Sequence, residues 1–254
     1  MILAPGAILQ RMYFRERLAR LAPGRFVEVG AGQAHLSGVL LECGWAGTGY
    51  DLTDAGLAGA PLAVTAAMRT GRYALRVQDW LDAEPGEPVD LVVSAMVLEH
   101  LDEAQELAYF KKAESELAPG GLAVLFVPAS PDHWGVEDEI AGHYRRYTRA
   151  RLEDTLRRTG WTLRHAAGLT YPLSNLLLPL SNLLVRRAEG HKVDLSRAER
   201  TQLSGHRDVA LKTRFPRALG LVLNEQALYP FHVWQKAAHR HPSALVLYAE
   251  CAPA

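Results

Sequence analysis

The chain has 254 residues, 48% of them hydrophobic, with 28 basic and 28 acidic side chains. That length carries one well-buried domain with an elaboration, or two small ones. Balanced charge excludes a molecule-wide attraction to nucleic acid or acidic membranes, and two cysteines, Cys43 and Cys251, exclude a disulfide framework. The N-terminus lacks the basic-then-apolar layout of a signal peptide, and no run reaches transmembrane length. A cytoplasmic protein with reduced thiols is expected.

Residues 8–21 place Ile8, Met12, Leu18 and Leu21 among Arg11, Arg15, Arg17 and Arg20. This predicts an amphipathic helix with a basic face, ended by Pro23-Gly24. It either packs on a sheet edge or sends Tyr13 or an arginine to a ligand carboxylate. Phe26, Val27 and Val29 follow as a short buried strand, and Leu36, Val39 and Leu40 recur at helical spacing. Between them Gly30 and Gly32 make a tight strand-to-helix turn against which a ligand can lie directly. Glu28 would repel a pyrophosphate but hold a cationic amino group. The third glycine of a dinucleotide turn would fall at His35, too bulky for close helix–strand packing. The turn therefore argues against NAD and for a ligand with a positive end.

The run Glu28-Val29-Gly30-Ala31-Gly32 resembles the first motif of the class I S-adenosylmethionine (SAM) dependent methyltransferases, with Ala34 where that motif usually has a third glycine. The resemblance implies SAM as cofactor. Glu28 would hold its amino end, and backbone at Gly30, Ala31 and Gly32 would lie against it. Gly47 to Thr53 reads as a second strand. Asp51 falls about 20 residues past the turn, the interval at which a strand-end carboxylate meets a ribose diol, with Leu52 beside it. Residues 61–68 form a helix and 73–77 a third strand running into Asp79-Trp80. An acid followed by an aromatic suits an adenine site, and the family places an acid there too; the alternative is a loop Asp and a core Trp.

Residues 88–94 read as a fourth strand. The run V-D-L-V-V-S-A-M-V-L-E-H-L is similar to the fourth motif of the small-molecule group containing the ubiquinone and menaquinone biosynthesis methyltransferases. Ser94, Ala95 and Met96 would line the ligand, and His100 is a candidate base. The N/D-P-P-Y/F/W tetrapeptide of enzymes that methylate amide or base nitrogens is absent. A helix over 103–117, with Leu107, Phe110 and Leu117 inward, leads through Pro119-Gly120-Gly121 into a fifth strand, 122–127. Five strand–helix alternations mean a doubly wound α/β sheet.

Residues 128–148 read as a long loop rich in ionisable and aromatic side chains, of the kind that covers or binds a substrate. The G-H-Y-R-R-Y-T run is also known from bacterial members of the same group. His143 and Tyr144 are the candidate catalytic residues there. Residues 161–167 and 244–249 are the sixth and seventh strands. The resemblance implies a Rossmann-like sheet of order 3-2-1-4-5-7-6 with the last strand antiparallel. On this reading 1–171 and 243–254 form the SAM-binding domain, and 172–242 a mainly helical cap that binds substrate.

The insert opens with P-L-S-N-L-L-L and P-L-S-N-L-L-V. Seven residues return a helix nearly to the same face, so Ser174, Asn175, Ser181 and Asn182 share one stripe among leucines. Pro179 kinks that helix or starts a second one. Such a segment buries against the domain, lines an apolar pocket or lies on a membrane, and it is too short to span a bilayer. Residues 172–242 carry 11 Lys/Arg against 5 Asp/Glu, hence net +6, which suits an anionic acceptor.

The expected activity is methyl transfer from SAM to oxygen or nitrogen of a small molecule, or of a lipid- or peptide-linked one, in a biosynthetic role. No metal is implied, nucleic acid is disfavoured, and weak membrane contact is open. An RNA-modifying methyltransferase and a non-catalytic SAM-binding partner are the alternatives.

Overall fold

The computed structural model describes residues 2–190, 195, 200, 209, 211–212 and 215–254. Helix α1 (Pro5–Leu18) precedes β1 (Arg25–Val29), α2 (His35–Glu42), β2 (Ala46–Asp51), α3 (Leu62–Arg69), β3 (Tyr73–Val77), β4 (Val89–Ala95), α4 (Glu103–Glu116) and β5 (Leu117–Pro128). Then come α5 (Val136–Ala141), α6 (Arg149–Arg158), β6 (Trp161–Leu169), α7 (Leu173–Glu189), α8 (Glu225–Ala237) and β7 (Val246–Pro253). The seven strands form one sheet in the order β3-β2-β1-β4-β5-β7-β6, as expected. β1 pairs in parallel with β2 and β4, β2 with β3, and β4 with β5. β7 runs the other way: Ala254 N, just past its end, donates to the carbonyl of Gly160, just before β6 begins.

The central strands are buried because most of their residues are apolar. Phe26, Leu91, Val92, Val93 and Leu125 are all inaccessible to solvent, the pattern of a parallel sheet covered on both faces. Pro119-Gly120-Gly121 does not precede β5 but bulges within it: Val89 pairs with Leu117 and Leu91 with Leu122, leaving four residues opposite one. The register of α4 also differs from expectation. Its inward face is Glu106, Tyr109, Phe110, Ala113 and Glu116, whereas Leu107 is half exposed. Trp80 Nε1 donates to Glu116 Oε2 at 3.1 Å, and the Lys112 ammonium lies over the indole. This satisfied polar cluster outweighs one leucine in choosing the face.

The chain forms two compact units. One comprises Arg15–Val127, Arg149–Ala166 and Tyr248–Ala254 and holds most of the sheet. In it the basic face of α1 is an anchor: Arg17 grips Glu250 of β7 through two 2.7 Å bonds, and Arg15 meets Glu42 of α2. Burial would raise the Glu250 carboxyl, but Arg17 and the Tyr248 hydroxyl hold it below the usual carboxylate range.

The other unit comprises Met1–Phe14, Pro128–Thr148 and Ala167–Leu247, so it takes in more than the 172–242 insert. Ile8, Leu9 and Met12 of α1 form one apolar cluster with Leu228 of α8. Buried Gln235 ties the same parts together, donating to the Leu9 carbonyl and accepting from Thr170 N. Residues 128–148 are not a plain loop. α5 starts where Asp138 Oδ2 accepts from Gly135 N, and it ends at Gly142 with φ +75°. The described part of 172–242 is helical, and α7 continues through Pro179 rather than restarting. Its Ser/Asn stripe faces the protein: Asn175 Nδ2 donates to the Ser243 carbonyl and Ser181 Oγ to Glu137. Its leucines are not buried, contrary to the commonest fate of such a segment; Leu176, Leu177, Leu180 and Leu183 face solvent.

Candidate functional site

The turn from β1 to α2 sits at the carboxyl end of the sheet and is braced from two sides. Below it, Glu28 is 2% exposed, and its Oε2 accepts from Ser37 N at 2.8 Å and from the Ser37 hydroxyl. Glu28 therefore holds the first turn of α2 from within instead of standing open at the surface. Burial pushes its carboxyl up to about 7, against the pull of the Ser37 bonds. Beside the turn, Asp51 at the end of β2 accepts from Gly32 N at 2.7 Å through Oδ2 and from Thr53 N at 3.2 Å through Oδ1. Gly30 N and Ala31 N both donate to the Tyr50 carbonyl at 2.9 Å. The register that sets Val29 opposite Tyr50 makes these contacts possible.

Close approach explains the small residues. A Cβ on Gly30, whose φ is +70°, would come within 2.6 Å of Val97 Cγ2. One on Gly56 would sit 2.1 Å from the Gly32 carbonyl. The segment Ala55–Gly59 thus backs the turn, a contact not foreseen from the residues; an A-G-L-A-G run soon after a strand-end acid is its only signal. Ala34, in the place of the third glycine, has φ +55°, so this alanine carries the left-handed backbone that glycine adopts freely. Gly30 is exposed, and a Cβ built on Gly32 meets nothing within 4 Å. Open space therefore lies beside the two glycines.

The other expected cofactor residues differ in their setting. Leu52 is exposed next to Asp51. Asp79 is exposed two residues beyond Val77, the partner of Asp51 in the sheet, and its Oδ1 accepts from Leu81 N. Trp80 is corrected: at 1% exposure, with Tyr109 at 5.3 Å and its N–H on Glu116, it is a core residue with no ring face for a base. Ser94 is buried, and its Oγ accepts from the Tyr109 hydroxyl at 2.9 Å. Ala95 and Met96 are partly exposed at the end of β4, with Met96 at φ +56° and its N–H on the Phe126 carbonyl. Val29 pairs with Ser94, so the β4 end lies beside the glycine turn. His100 follows in a short 3-10 turn, Leu98–His100, whose other two residues are buried.

His143 and Tyr144 lie in the other unit. The His143 Nδ1 is 2.9 Å from Asp138 Oδ1, and Arg146 Nε donates to that same oxygen at 2.8 Å. Burial would raise the Asp138 carboxyl, but the bonds from His143, then Arg146, hold it below its usual range. An ionised carboxylate only accepts, so Nδ1 carries a proton. Asp138 is a residue whose part in orienting His143 sequence reasoning missed; the five-residue spacing fits neither strand nor helix periodicity. Tyr144 is 42% exposed, with the Arg145 guanidinium 5.7 Å from its ring.

The fold with this turn is that of the Rossmann-like methyltransferases. A family model described as a methyltransferase domain matches residues 8–166, and the chain belongs to that family. No curated protein matches the sequence. Among solved structures, the glycopeptide N-methyltransferase MtfA is 18% identical, covering 65% of this chain and 83% of that one at a TM-score of 0.50. A magnesium protoporphyrin IX methyltransferase from Synechocystis, solved with bound SAM, is 17% identical over 65% of this chain and 74% of its own, with a TM-score of 0.51. A SAM-dependent methyltransferase from Clostridium acetobutylicum is 13% identical over 65% and 84%, with a TM-score of 0.50. These similarities are of fold.

The setting of Glu28 has a measurable consequence. A carboxyl raised from 4.5 to about 7 binds its proton more tightly folded than unfolded. Its contribution is present in full below pH 4.5 and is lost as pH rises to about 7. Glu28→Gln keeps an acceptor for Ser37 N and cannot ionise. Each tenfold gain in proton affinity on folding is worth roughly 1.4 kcal/mol. Relative to the variant, the native protein should therefore lose on the order of 3 kcal/mol across that window in urea denaturation. Parallel stability curves for the two proteins would contradict the assignment.

Proposed function

We propose that this chain transfers the methyl group of SAM to oxygen or nitrogen of a small-molecule acceptor, or of a lipid- or peptide-linked one. The observation that carries the reading is the braced glycine turn, with exposed Gly30, open space beside Gly32 and the Asp51 carboxylate at its edge. These residues fit SAM: flat backbone for its chain, a strand-end acid for its ribose, and acidic rather than basic surroundings for a cation. When bound, SAM supplies a methyl group already activated on sulfur. Asp51 takes the ribose, Asp79 the adenine amine, and backbone at Ala31 and from Ser94 to Met96 lines the site. Glu28 holds the turn against which the ligand's amino end lies, and a cation bound there favours its ionised form. The protein then contributes position and exclusion of water.

The V-D-L-V-V-S-A-M-V-L-E-H-L run supports a place near the ubiquinone and menaquinone group. The positive balance of 172–242, part of which lies outside the described residues, supports an anionic acceptor. A cytoplasmic location suits both. The absence of an N/D-P-P-Y/F/W motif weighs against the RNA-modifying alternative.

If the acceptor must lose a proton, His143 is the base, oriented by Asp138. His100 is the second candidate base, and Tyr144 belongs to the acceptor pocket. A carboxylate acceptor needs no base, and His143 then positions it.

Calorimetry should show SAM binding to the pure protein without added metal. Asp51→Ala should weaken it by about 1–3 kcal/mol, the cost of an unpaired buried partner. Unchanged affinity in a folded Asp51→Ala protein removes Asp51 from the site. On any acceptor that turns over, His143→Ala should slow single-turnover methyl transfer by roughly 10²-fold at saturating SAM if it is the base. A rate within about threefold of native at every pH makes His143 a bystander.

A further inference from the structure

Helix α7 is amphipathic in the opposite sense from a surface helix of a soluble domain. At about 100° per residue, Leu176, Leu177, Leu180 and Leu183 fall within roughly 120° of its circumference. They are 72%, 39%, 53% and 46% exposed. The side facing the protein carries Asn175, Ser181, Val185 and Glu189, the first two hydrogen-bonded to Ser243 and Glu137 and the last two buried. These polar contacts set the rotation of the helix, so the leucines cannot turn inward without breaking them. Outward leucines are thus a specified feature of the helix.

The pattern extends beyond α7. Of the 17 large apolar side chains exposed among the described residues, 12 belong to this unit. α8 buries Leu228, His232 and Gln235 and presents Tyr229, Val233 and Trp234 to solvent. An outward apolar helix face such as that of α7 marks an interaction site.

The charges along α7 say what covers its leucine face. Arg186 and Arg187 are exposed on the last turn of α7, with Arg187 in line with the leucines. Glu189, the one acid of α7, is buried. Among the described residues no helix is long and apolar enough to cross a membrane, which leaves the interfacial mode. Leucines that reach acyl chains and cations beside them on the same helix are the elements of binding to an anionic bilayer.

We propose that the leucine face of α7 docks the protein on the surface of a membrane containing anionic lipids. The full chain should co-sediment with sucrose-loaded vesicles of phosphatidylcholine and phosphatidylglycerol, and much less with phosphatidylcholine alone. Leu180→Gln with Leu183→Gln should weaken that binding about tenfold or more, because the buried apolar area supplies it. Arg186→Gln with Arg187→Gln should weaken it severalfold and flatten its dependence on salt. All four positions are exposed, so melting followed by circular dichroism should be unchanged. Independently of any variant, hydrogen exchange over residues 176–183 of the native protein should slow when anionic vesicles are added. The proposal is overturned if the native protein ignores anionic vesicles, or if the leucine variant binds them as the native protein does. It is equally overturned if sedimentation shows a dimer that the leucine variant dissociates while vesicles are not bound, since a second copy would then be the occupant.

Discussion

A carboxylate under a turn and another beside it shape the carboxyl edge of this sheet. Glu28 fastens the start of α2 through Ser37, and Asp51 fastens Gly32. The peptide between them is left with little side chain and with open space beside it. Each bond is to a backbone amide of a helix start or a turn, where orphan donors need acceptors. The arrangement does two things at once. It supplies those acceptors, and it places negative potential where a cationic ligand is to bind. The cost is an acid buried in the core, visible as the raised Glu28 carboxyl.

The same economy recurs in the other unit. Asp138 caps the start of α5, fixes the imidazole of His143 and balances Arg146. One buried acid thus determines a helix boundary and a side-chain orientation. In α7, Ser and Asn, usually surface residues, provide the inward contacts, and leucine takes the outside. Where polar groups are buried with partners they specify orientation more sharply than apolar ones, because a misplaced polar group is penalised outright.

Most of the sheet was legible in the residues. The run Leu91-Val92-Val93 is continuously apolar, as a parallel sheet covered on both faces requires. The glycine turn and Asp51 were legible because short-range spacing and strand order together place them at one edge. Three features were hidden for physical reasons. The face of α4 is decided by the Trp80–Glu116 bond, which joins residues 36 apart in sequence. That bond also takes Trp80 out of the candidate site. The bulge in β5 depends on its partner β4, and no local pattern reports it. The leucines of α7 carry the periodicity of a buried face. What puts them outside is a set of hydrogen bonds from the opposite stripe to Ser243 and Glu137, which periodicity does not register.

Everything proposed for the chemistry rests on the turn braced by Glu28 and Asp51 being the cofactor site. A crystal structure of the protein with S-adenosylhomocysteine, the demethylated form of SAM, puts that to the test. The ligand should lie along Gly30, Ala31 and Gly32, with its ribose hydroxyls within hydrogen-bond distance of the Asp51 carboxylate. A ligand bound away from these residues, with Asp51 still engaged only by Gly32 and Thr53, would contradict it.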